Sequence, residues 1–442
     1  MKKQIHFIGI GGIGVSALAT YYLQKGWEVS GSDLVSSELT ERLKKLGANI
    51  SIGKPRASLV SQNIEKVIYS PAVPADHPER QTVRKQKIAE FSYPEALGEL
   101  TKDYVTIAVS GTHGKSTTAA MIGLVLLKAK KDPTVIVGTK IQEFGEWNCR
   151  VGKSNSLVIE ADEHFASFLN YHPQIIVLTS LEADHLDFYK TLENLKQAFK
   201  KYVSRLPRDG VVVANKDDKN IRDMLKGQKR TVLWYSLSQK EAQLLSKQMK
   251  LPGKHNTANA LATLTVARTL GIPDKTSIQA LSLYKGSWRR FEVFRLQKPK
   301  PYTLISDYGH HPTEIAATLQ AARQKWPKKQ IVLVYQPHQY QRTFYLFKDF
   351  VEVLSHVPVQ KLILVDIYDV AGREEGSIRK KVSSAKLAKA VAKKGVPYEV
   401  VHIPTLKETQ KYLMKNIQRK EVVIVMGAGD IYNLTVRLTQ KL

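Results

Sequence analysis

YVTIAVSGTHGKSTT, residues 104–118, sets the fold class. Tyr104 to Ser110 is rich in β-branched residues and reads as a strand. Gly111-Thr112-His113-Gly114 breaks it with two glycines. Lys115-Ser116-Thr117-Thr118 then leads into an apolar helix. A strand, a glycine turn and a helix in series place backbone N–H groups and a helix N-terminus around one point, which suits phosphate oxygens. Lys115 can neutralise β/γ-phosphate charge, and the Ser116 hydroxyl can ligate Mg²⁺. The loop is two residues shorter than the usual G-x4-G-K-[ST] spacing, because position 109 is Val. ATP is therefore the expected nucleotide, bound by Gly111, Thr112, His113, Gly114, Lys115, Ser116 and Thr117.

Outward from this stretch, strand and helix patterns alternate through the chain. That alternation predicts an α/β protein with mainly parallel sheets. Upstream, Gln4–Ile10 reads as a strand, Gly9-Ile10-Gly11-Gly12-Ile13-Gly14 as a turn, and the next residues as a helix to about Lys25. This G-x-G-x-x-G pattern lets a backbone approach a diphosphate, and the alternative is tight strand–helix packing. Asp33, at the end of the next strand, is placed to meet a ribose. Downstream, strands are expected near 134–138, 156–161, 175–180, 210–214 and 231–235, with helices at Leu192–Ser204 and about Thr257–Leu270. Further strands are expected at Tyr302–Asp307, Gln330–Tyr335, Lys361–Asp366, Tyr398–Ile403 and Glu421–Met426. The expected division is 1–100, a Rossmann-like domain; 101–295, a central ATP-binding domain; and 296–442, a second Rossmann-like domain. Linkers are expected near 94–103 and 285–300.

Polar groups collect where strands end. Glu160-Ala161-Asp162-Glu163-His164 and Glu182-Ala183-Asp184-His185-Leu186-Asp187 each follow a strand. Carboxylates there can hold a magnesium ion bridging ATP oxygens; a helix cap is the alternative for an Asp-His pair. The last block carries Asp307-Tyr308-Gly309-His310-His311, then Gln336-Pro337-His338-Gln339-Tyr340-Gln341-Arg342-Thr343, then Gly427-Ala428-Gly429-Asp430-Ile431. Arg342 suits bidentate capture of a carboxylate. Adjacent histidines on a turn point apart, which argues against a zinc site at His310-His311.

Bulk properties narrow the class. The 442 residues are 43% apolar and 24% charged, a globular balance. No apolar run is long enough to span a bilayer. Met1-Lys2-Lys3 runs directly into a strand, which reads as a domain start rather than a signal peptide. Cys149 is the one cysteine, so an internal disulfide is excluded and a reducing cytoplasm is expected. Lys plus Arg number 67 against 40 Asp plus Glu, a formal charge of +27. Because the excess is spread along the chain, it reads as a solvated surface; nucleic-acid binding is not expected.

As an ordered set, HFIGIGGIGVSALA (6–19), SGTHGKSTT (110–118), LEADHLD (181–187), GKHNTANALA (253–262), RRFE (289–292), DYGHHPTEI (307–315), QPHQYQRT (336–343) and GAGDI (427–431) resemble the Mur ligases of bacterial peptidoglycan assembly. The resemblance covers essentially the whole chain. It implies an N-terminal domain for a UDP-sugar, a central ATPase domain and a C-terminal amino-acid domain. Gly11, Gly12, Gly14, Asp33 and Ser70 would hold the UDP-sugar. Ser116, Glu160 and His185 would ligate Mg²⁺. His255, Asn256, Asn259, Arg290 and Asp307 would contact ATP. Tyr308, His310, His338 and Arg342 would form the amino-acid pocket. The catalytic set would be Lys115, Glu160, His185, His338 and Arg342.

The implied reaction joins L-alanine to the carboxylate of UDP-N-acetylmuramate through an acyl phosphate, giving ADP and phosphate. Glycine and L-serine remain open as amino acids, as does the oligomeric state. A murein-tripeptide recycling ligase and a non-catalytic nucleotide-binding regulator are the alternatives. The chain departs from the family pattern at His164-Phe165, where Ser-Asp is usual, and at His77, where Asn is usual. Between Tyr235 and Lys254 a charged helix-like segment stands in place of a small antiparallel sheet. Lys200 reads as an exposed helix lysine rather than a modified one.

Overall fold

The computed structural model describes residues 2–369 and 376–440. Its strands form three sheets. The first contains β1 (Gln4–Ile8), β2 (Glu28–Asp33), β3 (Asn49–Ile52), β4 (Lys66–Tyr69) and β5 (Ala89–Ser92). Their order is β3-β2-β1-β4-β5, and all are parallel. The chain reverses direction across the sheet between β1 and β4. The turn after β1 and Ser70 after β4 therefore share the crevice where open parallel sheets take ligands.

The second sheet contains β6 (Val105–Ser110), β7 (Thr134–Ile141), β8 (Trp147–Arg150), β9 (Ser156–Glu160), β10 (Ile175–Leu178), β11 (Val211–Asn215) and β12 (Thr231–Tyr235). The order is β12-β11-β10-β6-β9-β7-β8, parallel except for the edge strand β8. β6 is central, with β9 and β10 at its sides. Ile107, Val109, Leu157, Val158, Ile176 and Val177 are buried almost completely. Each such side chain contributes about 1.5–3 kcal/mol of transfer free energy. The loops after β6, β9 and β10 therefore emerge side by side from a rigid platform.

The third sheet contains β13 (Glu292–Leu296), β14 (Tyr302–Asp307), β15 (Ile331–Tyr335), β16 (Lys361–Leu364), β17 (Glu399–His402) and β18 (Val422–Met426). Its order is β13-β14-β18-β15-β16-β17, with β13 antiparallel. β18 inserts between β14 and β15, so the DYGHH, GAGDI and QPHQ turns leave three neighbouring strands.

The chain packs as two compact units. Met1–Glu182, Leu195–Gln239 and Asn259–Tyr284 make one, holding the first two sheets. Ala183–Asn194, Lys240–Ala258 and Lys285–Leu442 make the other, holding the third. In the first unit the two sheets are tied together by polar contacts. Trp147 donates from Nε1 to Thr20 Oγ1 at 2.9 Å, and Asn148 Nδ2 donates to Ser16 Oγ at 3.0 Å.

Two expectations are corrected. The segment at 94–103 is no linker: Tyr93–Thr101 is a helix with a capping box, in which the Glu95 carboxylate accepts from Ser92 N at 2.7 Å. The 285–300 stretch holds β13 rather than only a connection. The segment that departs from the family pattern contains the helix Glu241–Gln248, as its charge pattern suggests.

Candidate active site

The glycine turn after β1 is built by β2. Gly9 N and Ile10 N donate to Ser32 O at 2.9 and 3.1 Å, and Gly11 N donates to Asp33 Oδ2 at 2.8 Å. Asp33 thus shapes the turn. Gly9 has φ +75°, a left-handed conformation that suits glycine. A Cβ on Gly14 would stand 2.6 Å from Tyr93 Cζ. The helix Ile13–Gln24 starts here without a side-chain cap, and an anion suits such a helix start. Ser70 sits across the crevice, its Cβ 3.0 Å from where a Gly9 Cβ would lie.

In the phosphate loop, Gly111 (φ +132°) and Gly114 (φ +82°) hold conformations that a side chain resists. Lys115 starts the helix Lys115–Lys128, followed by Ser116 and Thr117 in its first turn. Its Nζ donates to Gly111 O at 2.7 Å and lies 3.0 Å from Glu163 Oε2. Burial opposes the charge on Lys115, but Glu163, Asp162 and Glu160 outweigh it and raise its pKa. Burial pushes the Glu163 carboxyl up, against Lys115. Glu163 thus occupies the lysine in a loop shaped for phosphate, a partner that sequence reasoning placed only in a general acidic cluster. Asn259 stands over the loop, with Oδ1 2.6 Å from a hypothetical Gly114 Cβ.

The loop after β10 is fastened to the same turn. Thr112 N donates to Ser180 O, and Glu182 N donates to Thr112 Oγ1 at 2.8 Å. Glu160 ends β9, and its carboxylate accepts from Gly138 N. Beyond it, Phe165 and Ala166 have φ +52° and +54°. His164 and Phe165 stack at 4.1 Å where the sequence departs from Ser-Asp. Such strain in non-glycine residues clusters at functional sites.

In the second unit, His185 also has φ +52°, and its backbone N donates to Asp184 Oδ1 at 2.8 Å. The Asp184 carboxylate faces Arg342: Nε to Oδ1 is 3.1 Å and Nη2 to Oδ2 is 3.4 Å. Arg342 Nη1 donates to His338 Nδ1 and Gln339 Oε1, both at 3.2 Å. Burial pushes the Asp184 carboxyl up, but the Arg342 guanidinium holds it well below the carboxylate range.

His338 stacks on Tyr368 at 5.5 Å, and His310 meets Tyr308 edge-on at 5.4 Å. His310 and His311 do diverge. His310 Nδ1 lies 3.1 Å from Tyr308 O, whereas His311 Nδ1 accepts from Thr313 N and caps the helix Pro312–Lys325. The Asp307 carboxylate accepts from Phe291 N and Gly309 N, both at 2.8 Å, and so shapes the RRFE and DYGHH turns. Arg290 lies over the Tyr308 ring, 3.6 Å from Glu314 Oε1. Arg289, absent from the sequence-derived set, donates to Gly427 O and Gly429 O and fixes the GAGDI turn. Asn256 Nδ2 donates to Pro252 O at 2.7 Å.

Burial drives His255 down to about 4, with Arg290 adding to the effect. Burial likewise takes His310 down to about 3 and His338 down to about 2. All three are neutral at pH 7. Unfolded, they take up protons below about pH 6.5, while the fold resists until much lower pH. Stability is therefore fully present above that pH and falls as pH drops. Denaturant midpoints at pH 7 and pH 5 should show a smaller acid loss for His338→Asn than for the parent; equal losses would contradict the assignment.

Comparison with known proteins identifies the family of the chain. Three family models match in order: the Mur ligase family catalytic domain over residues 4–105, the Mur ligase middle domain over 109–267, and the Mur ligase glutamate ligase domain over 289–429. The chain is 36% identical to a UDP-N-acetylmuramate–L-alanine ligase of Clostridium botulinum, covering 98% of this chain and 96% of the relative. It is 38% identical to that of Caldanaerobacter subterraneus subsp. tengcongensis, with the same coverages. The crystal structure of the UDP-N-acetylmuramate-alanine ligase from Thermotoga maritima superposes with a TM-score of 0.80 at 26% identity, over 99% of this chain and 98% of that one.

Proposed function

Because the chain belongs to the Mur ligase family, we propose that it joins L-alanine to the carboxylate of UDP-N-acetylmuramate at the expense of ATP, in peptidoglycan synthesis. The observation that carries this reading is the strand-end constellation itself. A diphosphate cradle and a phosphate loop stand in one unit, and a buried guanidinium suited to a carboxylate stands in the other.

In the first step, an oxygen of the muramoyl carboxylate attacks the γ-phosphorus of ATP. The bond to the β-phosphate oxygen breaks, leaving an acyl phosphate and ADP. Lys115 leaves Glu163 for the phosphates, and the loop amides and helix start spread the charge that develops on them. Asn259 borders the loop on the nucleotide side. His255, Asn256, Arg290 and Asp307 are the remaining nucleotide contacts of the proposal. In the second step, the free amine of L-alanine attacks the acyl carbon. An amide forms, the carbon–oxygen bond to phosphate breaks, and phosphate departs; the attacking nitrogen loses one proton to water and keeps the other as the amide N–H. His338, His310 and Tyr308 line the amino-acid pocket, and with both imidazoles neutral Arg342 is its principal cation.

The proposal keeps Ser116, Glu160 and His185 as the magnesium ligands; within the first unit, the helix-start hydroxyl of Ser116 and the strand-end carboxylate of Glu160 are oxygen donors of the kind that magnesium takes. Bound there, magnesium would neutralise phosphate charge. No described helix is long and apolar enough to cross a membrane. The use of ATP supports a cytoplasmic location for the proposed reaction.

Isotope transfer tests the mechanism. With ¹⁸O in the muramoyl carboxylate, one labelled oxygen should leave in the released phosphate. Unlabelled phosphate alongside amide product would exclude the acyl phosphate.

A further inference from the structure

The Asp184–Arg342 pair is more than a support for the amino-acid pocket. Both side chains are buried, to 6% and 9% residual exposure. Four of the five guanidinium N–H groups are engaged, two by Asp184 and two by His338 and Gln339. In this arrangement no edge of Arg342 is left to grip a second carboxylate bidentately. The pair also forms part of the wall of a recess whose apolar lining includes Leu186, Tyr345 and Leu346. A buried ion pair returns little stability for its desolvation, so its presence calls for another role.

Charge balance supplies that role. His310 and His338 are neutral, and Arg290 and Glu314 lie 3.6 Å apart as a separate pair. Asp184 and Arg342 are the anion and the cation in direct contact at this end of the pocket, with the His185 imidazole 3.8 Å from Asp184 Oδ2. A zwitterion brings one of each and leaves no buried charge uncompensated. A ligand with a single charge would strand either Asp184 or Arg342.

We propose that Asp184 is the ammonium-binding residue of the amino-acid site: the zwitterion inserts into the Asp184–Arg342 pair, its carboxylate taking Arg342 and its ammonium taking Asp184. The inference rests on the ligase reading above and adds to it a second charged contact. Asp184 positions the nitrogen, which gives one proton to water before it attacks as the free amine, and the pair selects α-amino acids over simple carboxylates.

The test uses the full-length enzyme with saturating ATP, Mg²⁺ and UDP-N-acetylmuramate. It compares the parent with Asp184→Asn by amino-acid-dependent phosphate release. The KM for L-alanine should rise about 10²-fold in Asp184→Asn, the scale for losing one partner of a buried charge pair. Inhibition by propionate, which carries only the carboxylate, should strengthen, because Arg342 no longer has a competing anion. This crossing of the two effects is the signature. Weakening of both would mean a purely structural Asp184, and strengthening of both would mean a simple lock; either overturns the proposal.

If Asp184→Asn melts far below the parent, the parent alone decides. Propionate should then inhibit only at about 10²-fold or more above the L-alanine KM, and propionate acting near that KM would overturn the proposal. Absence of amino-acid-dependent phosphate release in the parent would remove the ligase reading itself, and this proposal with it.

Discussion

Lys115→Ala should reduce amide formation by about 10³-fold or more, with the fold retained. The size follows from the loss of a preorganised charge aimed at the transferring phosphoryl group, where single donors are worth roughly 10²–10³ in rate. Lys115 is the cation that lies within the phosphate loop, and it is held there by Gly111 O and Glu163. The substitution also leaves Glu163 buried without its ion-pair partner, and breaking such a pair costs about 3–5 kcal/mol before protonation of the orphan relieves it. The double variant Lys115→Ala/Glu163→Gln separates the two effects. It should recover thermal stability and remain inactive. A folded Lys115→Ala protein with parental turnover would remove the ATP site from this loop.

Arg342→Ala should raise the L-alanine KM by about 10²-fold or more and leave the ATP KM near the parental value. The guanidinium is the charged donor to His338 and Gln339 as well as the partner of Asp184, so its loss disorders one wall of the pocket. Arg342→Lys should not restore binding, because a point charge lacks the planar fork that meets Asp184 through Nε and Nη2. Initial-rate measurements with L-alanine varied decide the matter. An unchanged alanine dependence would take Arg342 out of the amino-acid site.

Strands buried on both faces were easy to see in the sequence. Tyr302–Asp307 and the helix Leu192–Ser204 have the bounds that their patterns suggest. β3, β5, β8 and β13 are hard to see because they are short and all four lie at sheet edges, where burial is one-sided. NISI, AEFS, WNCR and EVFRL carry no apolar run. The helix Tyr93–Thr101 is hard to tell from a linker in the sequence, because Pro94 stands near its start. In the first turn proline is tolerated, and Ser92 with Glu95 was the available signal.

The site divides in the same way. Glycine turns and strand-end polar runs announce themselves by spacing, so Gly11, Lys115, Arg342 and the two acidic clusters stand out in the sequence, while Glu160 and His185 are singled out within the clusters only by the family resemblance. Partners remote in sequence could not. Glu163 reaches Lys115 across 48 positions, and Asp184 reaches Arg342 across 158. Nothing local in either acidic cluster says which carboxylate meets a cation and which remains for a metal.

The most direct measurement is phosphate release from ATP and Mg²⁺ with UDP-N-acetylmuramate, each of the twenty amino acids added in turn, and the product weighed by mass spectrometry. The account predicts stimulation by L-alanine and a product heavier by one alanyl residue. Release that no amino acid stimulates, with no amide product, would contradict it.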